Sequence, residues 1–427
     1  MKRTARLVPL LAISALALSA CAGGSSPTSS GSSDGELSGT ITFQSWSLKG
    51  DKFSPYFEAL FDAFTQEHPD VTIEWLDQPG DGYQDKVLNQ ANSNTLPDVI
   101  NLPPDIAYPL VEAGVLLDLA GADSSLSDIY LPGGLEAYQY PGIDGTYGLP
   151  WYLGTDLAWW NTKAIADNGG DPDNLPTTTE ELIELATTVG KASGGTMPVL
   201  SSMPTLDVFE SAGIATMNDD GEFVFNTPEA AEIVDEYKAA YDAGGIPAEA
   251  LTGDAGGNAD MFKQGKVAFT TATSVFASDL QRDAPSLVPD VKATPRMGDA
   301  PLFVQGVSVA ANSKNQAAAI AFAKFLTNTE NQVAFCKLAV GFMPGTIDGS
   351  ADTAALAADV TDPLQLEAMD IVSEAMKTAR ILTPFQWSNA MKVYMDQQLA
   401  LALKGEIGSQ EALDKIVKYA NDNRIDN

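Results

Sequence analysis

The sequence predicts a two-domain protein of the α/β class. Its 427 residues exceed what a single hydrophobic core usually supports, so two domains are the default expectation. Between residues 40 and 102 the chain alternates strand-like and helix-like patterns at short spacing, which is typical of parallel α/β units. A hydrophobic content of 44% is that of an ordinary globular protein.

The first half of the α/β pattern begins at residues 40–46, where apolar and polar side chains alternate as in a strand. Ser54 and Pro55 then offer an N-cap and a proline at the first helical position, followed by apolar residues at helical spacing. Residues 71–75 alternate again, and a helix from about Tyr83 leads to a short apolar strand at 96–102. These segments predict strand, helix, strand, helix and strand.

Helices dominate after Leu157. Residues 177–193 open on threonine caps with glutamate in the first turn, which predicts a helix. The turn at Asp220-Gly221 predicts a short strand and then a capped helix that ends at Gly244-Gly245. Residues 265–273 and 305–313 are rich in strand formers, whereas the segments 314–328 and 389 onward are predicted helices.

The charge is strongly acidic. The chain has 57 Asp and Glu against 24 Lys and Arg, a formal net charge of −33. Phosphate backbones would repel such a surface, so we expect no nucleic-acid partner and no broad docking on an anionic membrane. We interpret the charge as a means of keeping a secreted protein soluble.

The chain has few residues for metal or nucleophilic chemistry. Its two cysteines are Cys21 and Cys336, and its one histidine is His68, so a structural zinc cluster is not expected. A serine–histidine–aspartate mechanism would have to use His68, which precedes a proline where a solvated turn histidine is expected. We therefore expect no catalytic residue, no metal and no cofactor.

The N-terminus has the pattern of a secretory signal with a lipidation site. Basic residues precede an apolar run at 7–20, which is shorter than the roughly 20 residues a membrane span needs. The run ends at 18–21 in a sequence that resembles the lipobox of bacterial lipoproteins, in which the cysteine, here Cys21, carries diacylglyceryl and palmitate-type acyl chains. Two or more such chains give stable anchoring. Residues 1–20 are thus a predicted signal peptide and residues 21–36 a Gly/Ser tether. Cys336 then lacks a partner and is predicted to be a small buried apolar residue.

Several segments, taken in order, resemble the extracellular solute-binding proteins of bacterial ABC sugar importers, the group that includes maltose-binding protein. Two departures concern tryptophans that many members carry: Thr179 stands at one such position, and Val275-Phe276 at another. The matching segments are residues 96–99, 147–151, 160–163, 174–186, 220–230, 241–247, 262–268, 321–332, 341–346 and 405–415.

This resemblance implies a two-lobed α/β fold of the periplasmic-binding-protein-like type II class, with a hinge and a ligand cleft between the lobes. It implies an N-lobe of residues 37–152 plus 269–311 and a C-lobe of residues 153–268 plus 312–427. The chain is expected to cross between lobes near 151–156, 266–269 and 310–313. It also implies a monomer that closes on a carbohydrate, such as an oligosaccharide, and delivers it to the permease subunits of an importer.

The candidate site residues are aromatic side chains, which stack on sugar faces, and amides or carboxylates, which bind hydroxyl groups. Trp46 ends the first strand, at the carboxyl end where open α/β sheets bind ligands. By the same resemblance, the first crossover contributes Trp151, Tyr152 and Asp156. The predicted ligand-binding set is completed by Gln78, Asp81, Tyr83, Asn101, Asp105, Phe276, Gln305 and Trp387.

Two alternatives stay open at this point. One is an extracellular carbohydrate-active enzyme with two carboxylates in a cleft, because acids are too abundant for a pair to be recognised. The other keeps the fold but binds a non-sugar solute such as a polyamine or a peptide. A phosphate-binding loop at Gly265-Lys266 is excluded because Asp260 and Val267 break the motif, so ATP hydrolysis would belong to a partner subunit.

Overall fold

The computed structural model describes residues 37–218, 220–251 and 258–424. The predicted signal peptide, Cys21 and the tether lie outside these residues. Within them the strands belong to two sheets, each with its own helices. The strands are β1 (Ser38–Trp46), β2 (Asp70–Gln78), β3 (Val99–Leu102), β4 (Leu149–Gly154), β5 (Leu157–Asn161), β6 (Phe269–Ala272), β7 (Val291–Pro295), β8 (Phe303–Val309) and β9 (Met343–Pro344).

Helices surround both sheets, and none in the described ranges is long and apolar enough to cross a membrane. They are α1 (Ser54–Glu67), α2 (Tyr83–Asn92), α3 (Pro104–Glu112), α4 (Leu119–Ala122), α5 (Leu126–Ile129), α6 (Pro132–Glu136), α7 (Thr162–Asp167), α8 (Thr179–Ser193), α9 (Leu206–Ser211), α10 (Pro228–Asp242), α11 (Asn258–Lys263), α12 (Phe276–Asp283), α13 (Gln316–Leu326), α14 (Thr329–Leu338), α15 (Ile347–Ala351), α16 (Thr353–Ala357), α17 (Pro363–Ala375), α18 (Asn389–Leu403) and α19 (Ser409–Asp422).

The larger sheet has six strands in the order β2-β1-β3-β8-β4-β9. β1 pairs in parallel with β2 along its whole length and with β3 at Phe43 and Gln44. β8 runs antiparallel between β3 and β4. The predicted parallel α/β units are therefore confirmed, and the carboxyl ends of three strands meet at one edge of the sheet.

The smaller sheet has three strands, and its central strand β5 pairs antiparallel with β6 and β7. Every residue of β5 is buried. Because side chains alternate across a strand, Trp159 enters one apolar core and Trp160 enters another. Both faces of this sheet are therefore covered, and both tryptophans are structural.

The chain passes between the sheets in segments that lie side by side, which we call the hinge segments. Residues 155–156 join β4 to β5, and residues 296–302 join β7 to β8. The two run antiparallel, because β4 pairs with β8 on one side and β5 with β7 on the other. A third segment lies beside them where Arg380 bridges Pro301 in parallel.

Sheet membership differs from the expected lobe boundaries. Within residues 269–311, expected in the N-lobe, β6 and β7 pair with β5 in the smaller sheet. Residues 312–427, expected in the C-lobe, begin with α13 and α14, which pack on strands of the larger sheet. Of the expected crossings, the one near 151–156 coincides with a hinge segment. The other two lie within a lobe, because β6 begins at Phe269 and residues 310–313 follow β8 directly.

The core of the larger sheet is rich in aromatic rings. α1 buries Phe57, Leu60 and Phe64, as their helical spacing predicted. Each such side chain contributes about 1.5–3 kcal/mol when fully buried. Cys336 lies in this core with 2% of its surface exposed, which confirms its prediction as a small buried residue.

Two local predictions were wrong in detail. The helix α1 already includes Ser54, the residue before it occupies the N-cap position, and no side-chain capping bond is present there. After the turn at Asp220-Gly221 the expected strand is reduced to one bridge between Met217 and Phe223. In both places tertiary packing of the neighbouring apolar residues takes over from the local signal.

Candidate ligand-binding cleft

The larger sheet with its helices forms what we call the first lobe, and the smaller sheet with its helices forms the second lobe. A cavity of about 690 Å³ lies between these lobes and the hinge segments, and we call it the cleft. This volume is within the range of about 300–1,000 Å³ typical of small-molecule sites. Its wall includes five of the predicted site residues. These are Trp46, Asp105, Asp156, Gln305 and Trp387.

Trp46 reaches the cleft because it is the last residue of β1, at the carboxyl edge of the parallel strands. Its ring is half-buried and meets the ring of Tyr83 edge to face, with centroids 5.0 Å apart. The Tyr83 hydroxyl donates a hydrogen bond of 2.9 Å to the carbonyl oxygen of Asn101. Tyr83 thus lies behind Trp46 and fixes the orientation of its indole ring.

Asp105 follows β3 and lies in the first turn of α3, directly after two prolines. Its side chain is exposed to the cleft, yet protein atoms surround it closely. The resulting loss of hydration raises the pKa of its carboxyl group above the usual value. Asp105 therefore presents an accessible carboxylate to the cleft from the first lobe.

Gln305 lies on β8 and is held by a residue that does not line the cleft. The side-chain amide of Asn101 donates to the Gln305 Oε1 at 3.2 Å and to the Gly306 carbonyl oxygen at 3.0 Å. Asn101 is completely buried. It therefore positions Gln305, instead of contacting a ligand itself.

Arg296 brings two carboxylates together at the hinge. Its guanidinium contacts the carboxylate of Asp207 on α9, and its Nη1 lies 3.8 Å from the Asp156 Oδ2. Each of the three side chains is less than one-fifth exposed. Burial raises the pKa of Asp156 to about 6, although the positive charge of Arg296 opposes this, and burial lowers the pKa of Arg296. The group joins both hinge segments to the second lobe.

The remaining aromatic wall comes from the first residue of β8 and from the chain before α18. Phe303 is 44% exposed, which is unusual for so large an apolar side chain. Phe385 and Trp387 are half-buried. The Trp387 ring packs on Phe223, with centroids 5.2 Å apart, and so belongs to the core of the second lobe.

Three predicted residues lie in the core instead of the cleft. Trp151 is completely buried beneath the larger sheet, with its ring 4.7 Å from that of Phe335, and Tyr152 packs on the same phenylalanine. Phe276 is buried against Trp159 and Phe262 in the second lobe. The register of β4 shifts between Pro150 and Tyr152, and both of its aromatic rings pack on Phe335 of α14, away from the cavity.

Four further predicted residues support the cleft or lie outside its wall. Tyr83 packs against Trp46, and Asn101 is hydrogen-bonded to Gln305, so both support residues of the wall. Gln78 is the β2 partner of Trp46 in the sheet, and Asp81 is exposed in the turn before α2. The residues that sequence reasoning missed are Asp207, Arg296, Phe303 and Phe385. Of these only Phe385 had a usable signal, since it shares the proline-containing loop of Trp387.

The fold is similar to that of several solved binding proteins. An oligosaccharide periplasmic-binding protein from Synechococcus sp. MITs9220 matches with a TM-score of 0.79 and 23% identity, over 90% of this chain and 98% of that one. The GacH receptor of Streptomyces glaucescens, solved without ligand and with acarbose, matches with a TM-score of 0.70 and 21% identity, over 91% and 100% of the two chains. At these identities the likeness concerns the fold, which is the two-lobed binding-protein fold.

Similar sequences occur among bacterial binding proteins. A binding protein of Brucella abortus strain 2308 is 27% identical over 357 residues, or 77% of this chain and 85% of the relative. The ABC transporter periplasmic-binding protein YcjN of Escherichia coli K12 is 22% identical over 188 residues, or 42% of this chain and 44% of the relative. The family model for the bacterial extracellular solute-binding proteins matches residues 59–365. This chain therefore belongs to the bacterial extracellular solute-binding protein family.

Proposed function

We propose that this chain is the substrate-binding lipoprotein of an ABC importer, which binds an oligosaccharide in the cleft and delivers it to the membrane permease. The observation that carries the proposal is the wall of the cleft, where both lobes expose aromatic rings beside amide, hydroxyl and carboxylate groups. The family is extracellular, so the protein acts outside the cytoplasm.

The composition of the wall suits a sugar chain. A pyranose ring has apolar C–H faces that stack on aromatic rings. Trp46 and Phe303 offer such rings from the first lobe, and Trp387 offers one from the second lobe. Its hydroxyl groups need hydrogen-bond partners, which Gln305 and Asn258 can provide. A cleft that alternates stacking and hydrogen-bonding groups in this way favours a carbohydrate over a purely apolar ligand.

Closure of the two lobes about the hinge signals to the permease that a ligand is bound. Each lobe provides part of the wall, so the ligand is fully desolvated only when both lobes contact it. We expect the permease to recognise that closed form. Proteins with a similar fold support this choice of ligand, because one is an oligosaccharide periplasmic-binding protein and others were solved with acarbose, maltose or cycloalternan bound.

The ligand is tested by thermal unfolding of the purified protein with a broad panel of mono- and oligosaccharides. At 100 times its Kd, a sugar should add about 2.7 kcal/mol to the free energy of unfolding. Polyamines and short peptides serve as the comparison panel. Stabilisation by one of these alone would overturn the sugar assignment, and release of a cleaved product would identify an enzyme.

The lipid anchor is tested separately. Cells that express the chain are labelled with a fatty acid, and the membrane fraction is isolated. The unchanged chain should carry the label and sediment with membranes, because two acyl chains give stable anchoring. The variant Cys21→Ser should lose both properties, whereas the control Cys336→Ser, which changes the buried cysteine, should keep the label. A labelled Cys21→Ser variant would contradict the proposal.

A further inference from the structure

The charges in the wall of the cleft are unbalanced. Its described residues include three carboxylates, on Asp105, Asp156 and Asp207, and a single basic side chain, Arg296. The formal charge of this set is −2, from three negative charges and one positive charge. The whole chain, at −33, adds a negative field that attracts cations and repels anions.

The one positive charge among the described residues of the wall, on Arg296, is already paired with carboxylates. Arg296 contacts Asp207 and has Asp156 at 3.8 Å, and its side chain is only 13% exposed. A carboxylate or phosphate on a ligand would have to displace one of these partners to reach it. Displacement would leave a buried carboxylate without its cation, which is costly. The cleft is therefore unsuited to acidic sugars.

Asp105, unlike Arg296, is available to pair with a charge on the ligand. It is exposed to the cleft, and among the described residues no Lys, Arg or His side chain forms an ion pair with it. It lies in the first turn of α3, just beyond the carboxyl end of β3, and this is the sheet edge at which Trp46 ends β1. A protonated amine in this part of the cleft would find an accessible carboxylate without a cationic partner among the described residues, and the indole face offers additional attraction for a cation.

We infer that the cleft selects carbohydrates that carry a protonated amine, over neutral and acidic carbohydrates of the same size. The inference rests on the proposed function and narrows it to a ligand class. Asp105 is the residue that forms the ion pair, and the aromatic wall binds the sugar rings. The pair Arg296 and Asp207 stays intact and excludes anions.

The test compares matched disaccharides by titration calorimetry: a glucosamine disaccharide, its N-acetylated form, and a uronic-acid counterpart of the same linkage. We expect the amine form to bind at least about tenfold more tightly than the neutral form, and the acidic form to bind most weakly. Equal or tighter binding of the neutral or acidic form would overturn the inference while leaving the sugar assignment standing. If no carbohydrate of any charge binds, in this set or in the broad panel, the proposed function itself fails.

Two isosteric variants test whether Asp105 is the residue that binds the amine. Asp105→Asn should reduce the preference for the amine form over the neutral form to about twofold or less. Asp81→Asn removes the same charge from an exposed turn outside the wall of the cleft, so it should keep the preference. A preference that survives Asp105→Asn, or that is lost equally in Asp81→Asn, would contradict the role of Asp105.

Discussion

At the scale of single residues, burial distinguishes two tryptophans that the sequence predicted to bind the ligand. Trp46 is half-buried and forms part of the cleft wall. Trp151 is completely buried, and its ring lies within 6.4 Å of those of Phe43, Phe57 and Phe335. The first can contact a ligand, and the second can act only through the core.

Truncation of these side chains should therefore have opposite effects. We expect Trp151→Ala to lower the free energy of unfolding by about 3–5 kcal/mol, because it leaves a large cavity in the core. Trp46→Ala should cost much less stability but abolish the stabilisation by sugar. Denaturant unfolding with and without ligand measures both quantities. A stable Trp151→Ala variant that has lost sugar binding would show that its ring faces the cleft after all.

Asp156 makes stability depend on pH through its raised pKa. The pKa rises from 3.8 in the unfolded chain to about 6 in the folded protein because burial disfavours the charged form. The folded state therefore binds the proton more tightly than the unfolded state. The stabilising contribution is complete below about pH 4 and is lost as the pH rises through 6.

The variant Asp156→Asn isolates this contribution. Relative to the variant, the unchanged protein should lose on the order of 2–3 kcal/mol between pH 4 and pH 7. Chemical unfolding at several pH values measures the difference. Asp123→Asn is the control of opposite sign: hydrogen bonds from Lys324 and then Ser125 lower the pKa of Asp123 to about 2. Its stabilising contribution is present above pH 4 and is lost as the pH falls through 2. A difference for Asp156→Asn that stays flat from pH 4 to 7 would contradict the assignment.

At the scale of elements, the second lobe depends on a close approach between α8 and the chain after α10. A Cβ atom on Gly190 would lie 2.3 Å from the backbone nitrogen of Gly245. The Gly245 carbonyl oxygen accepts hydrogen bonds from the backbone N–H groups of Val199 and Leu200. Leu200 lines the cleft, so this glycine contact supports one wall of the site.

We expect Gly190→Ala to destabilise the protein by about 1–3 kcal/mol or more, because backbone, not a flexible side chain, occupies the space. The displacement of residues 199–200 should also weaken ligand binding. Thermal unfolding and titration measure the two effects. Gly50→Ala is the matched control, since a Cβ there meets no atom within 4 Å and stability should change by less than about 1 kcal/mol. Equal stability of the two variants would show that the helix can shift freely.

At the scale of the whole molecule, the hinge segments run side by side between two sheets of different construction. The larger sheet offers the carboxyl ends of parallel strands, and the smaller antiparallel sheet offers the second wall. The ion group of Arg296 spans the hinge and α9. Such an arrangement permits rotation about a few residues while each lobe stays rigid.

Saturating sugar should therefore reduce the radius of gyration of the purified protein in small-angle X-ray scattering. The reason is that closure brings both aromatic walls onto the ligand. Trp46→Ala serves as the control, because a variant that cannot bind should scatter identically with and without sugar. Binding without any change in the radius of gyration would contradict closure.

Much of the fold could be predicted from the sequence because its signals are local. Alternation at residues 40–46 and 71–75 and helical spacing behind Ser54 fix the parallel units of the larger sheet, and the end of β1 fixes the position of Trp46 at the cleft. The signal-peptide pattern and Cys21 are also local features of the sequence. The family follows from short segments whose order along the chain is sufficient to reveal it.

Only the tertiary structure decided which lobe each later segment joins and which side chains line the cleft. β5 pairs with strands that begin 112 and 134 residues after its own first residue, from Leu157 to Phe269 and Val291, and no local pattern specifies such partners. Arg296 and Asp207 are distant in sequence and meet only across the hinge. The burial of Trp151 could not be predicted either, because alternation along a strand does not indicate which face a distant element will cover. The sequence by itself therefore determined the elements and the family, while nonlocal pairing determined the chemistry of the cleft.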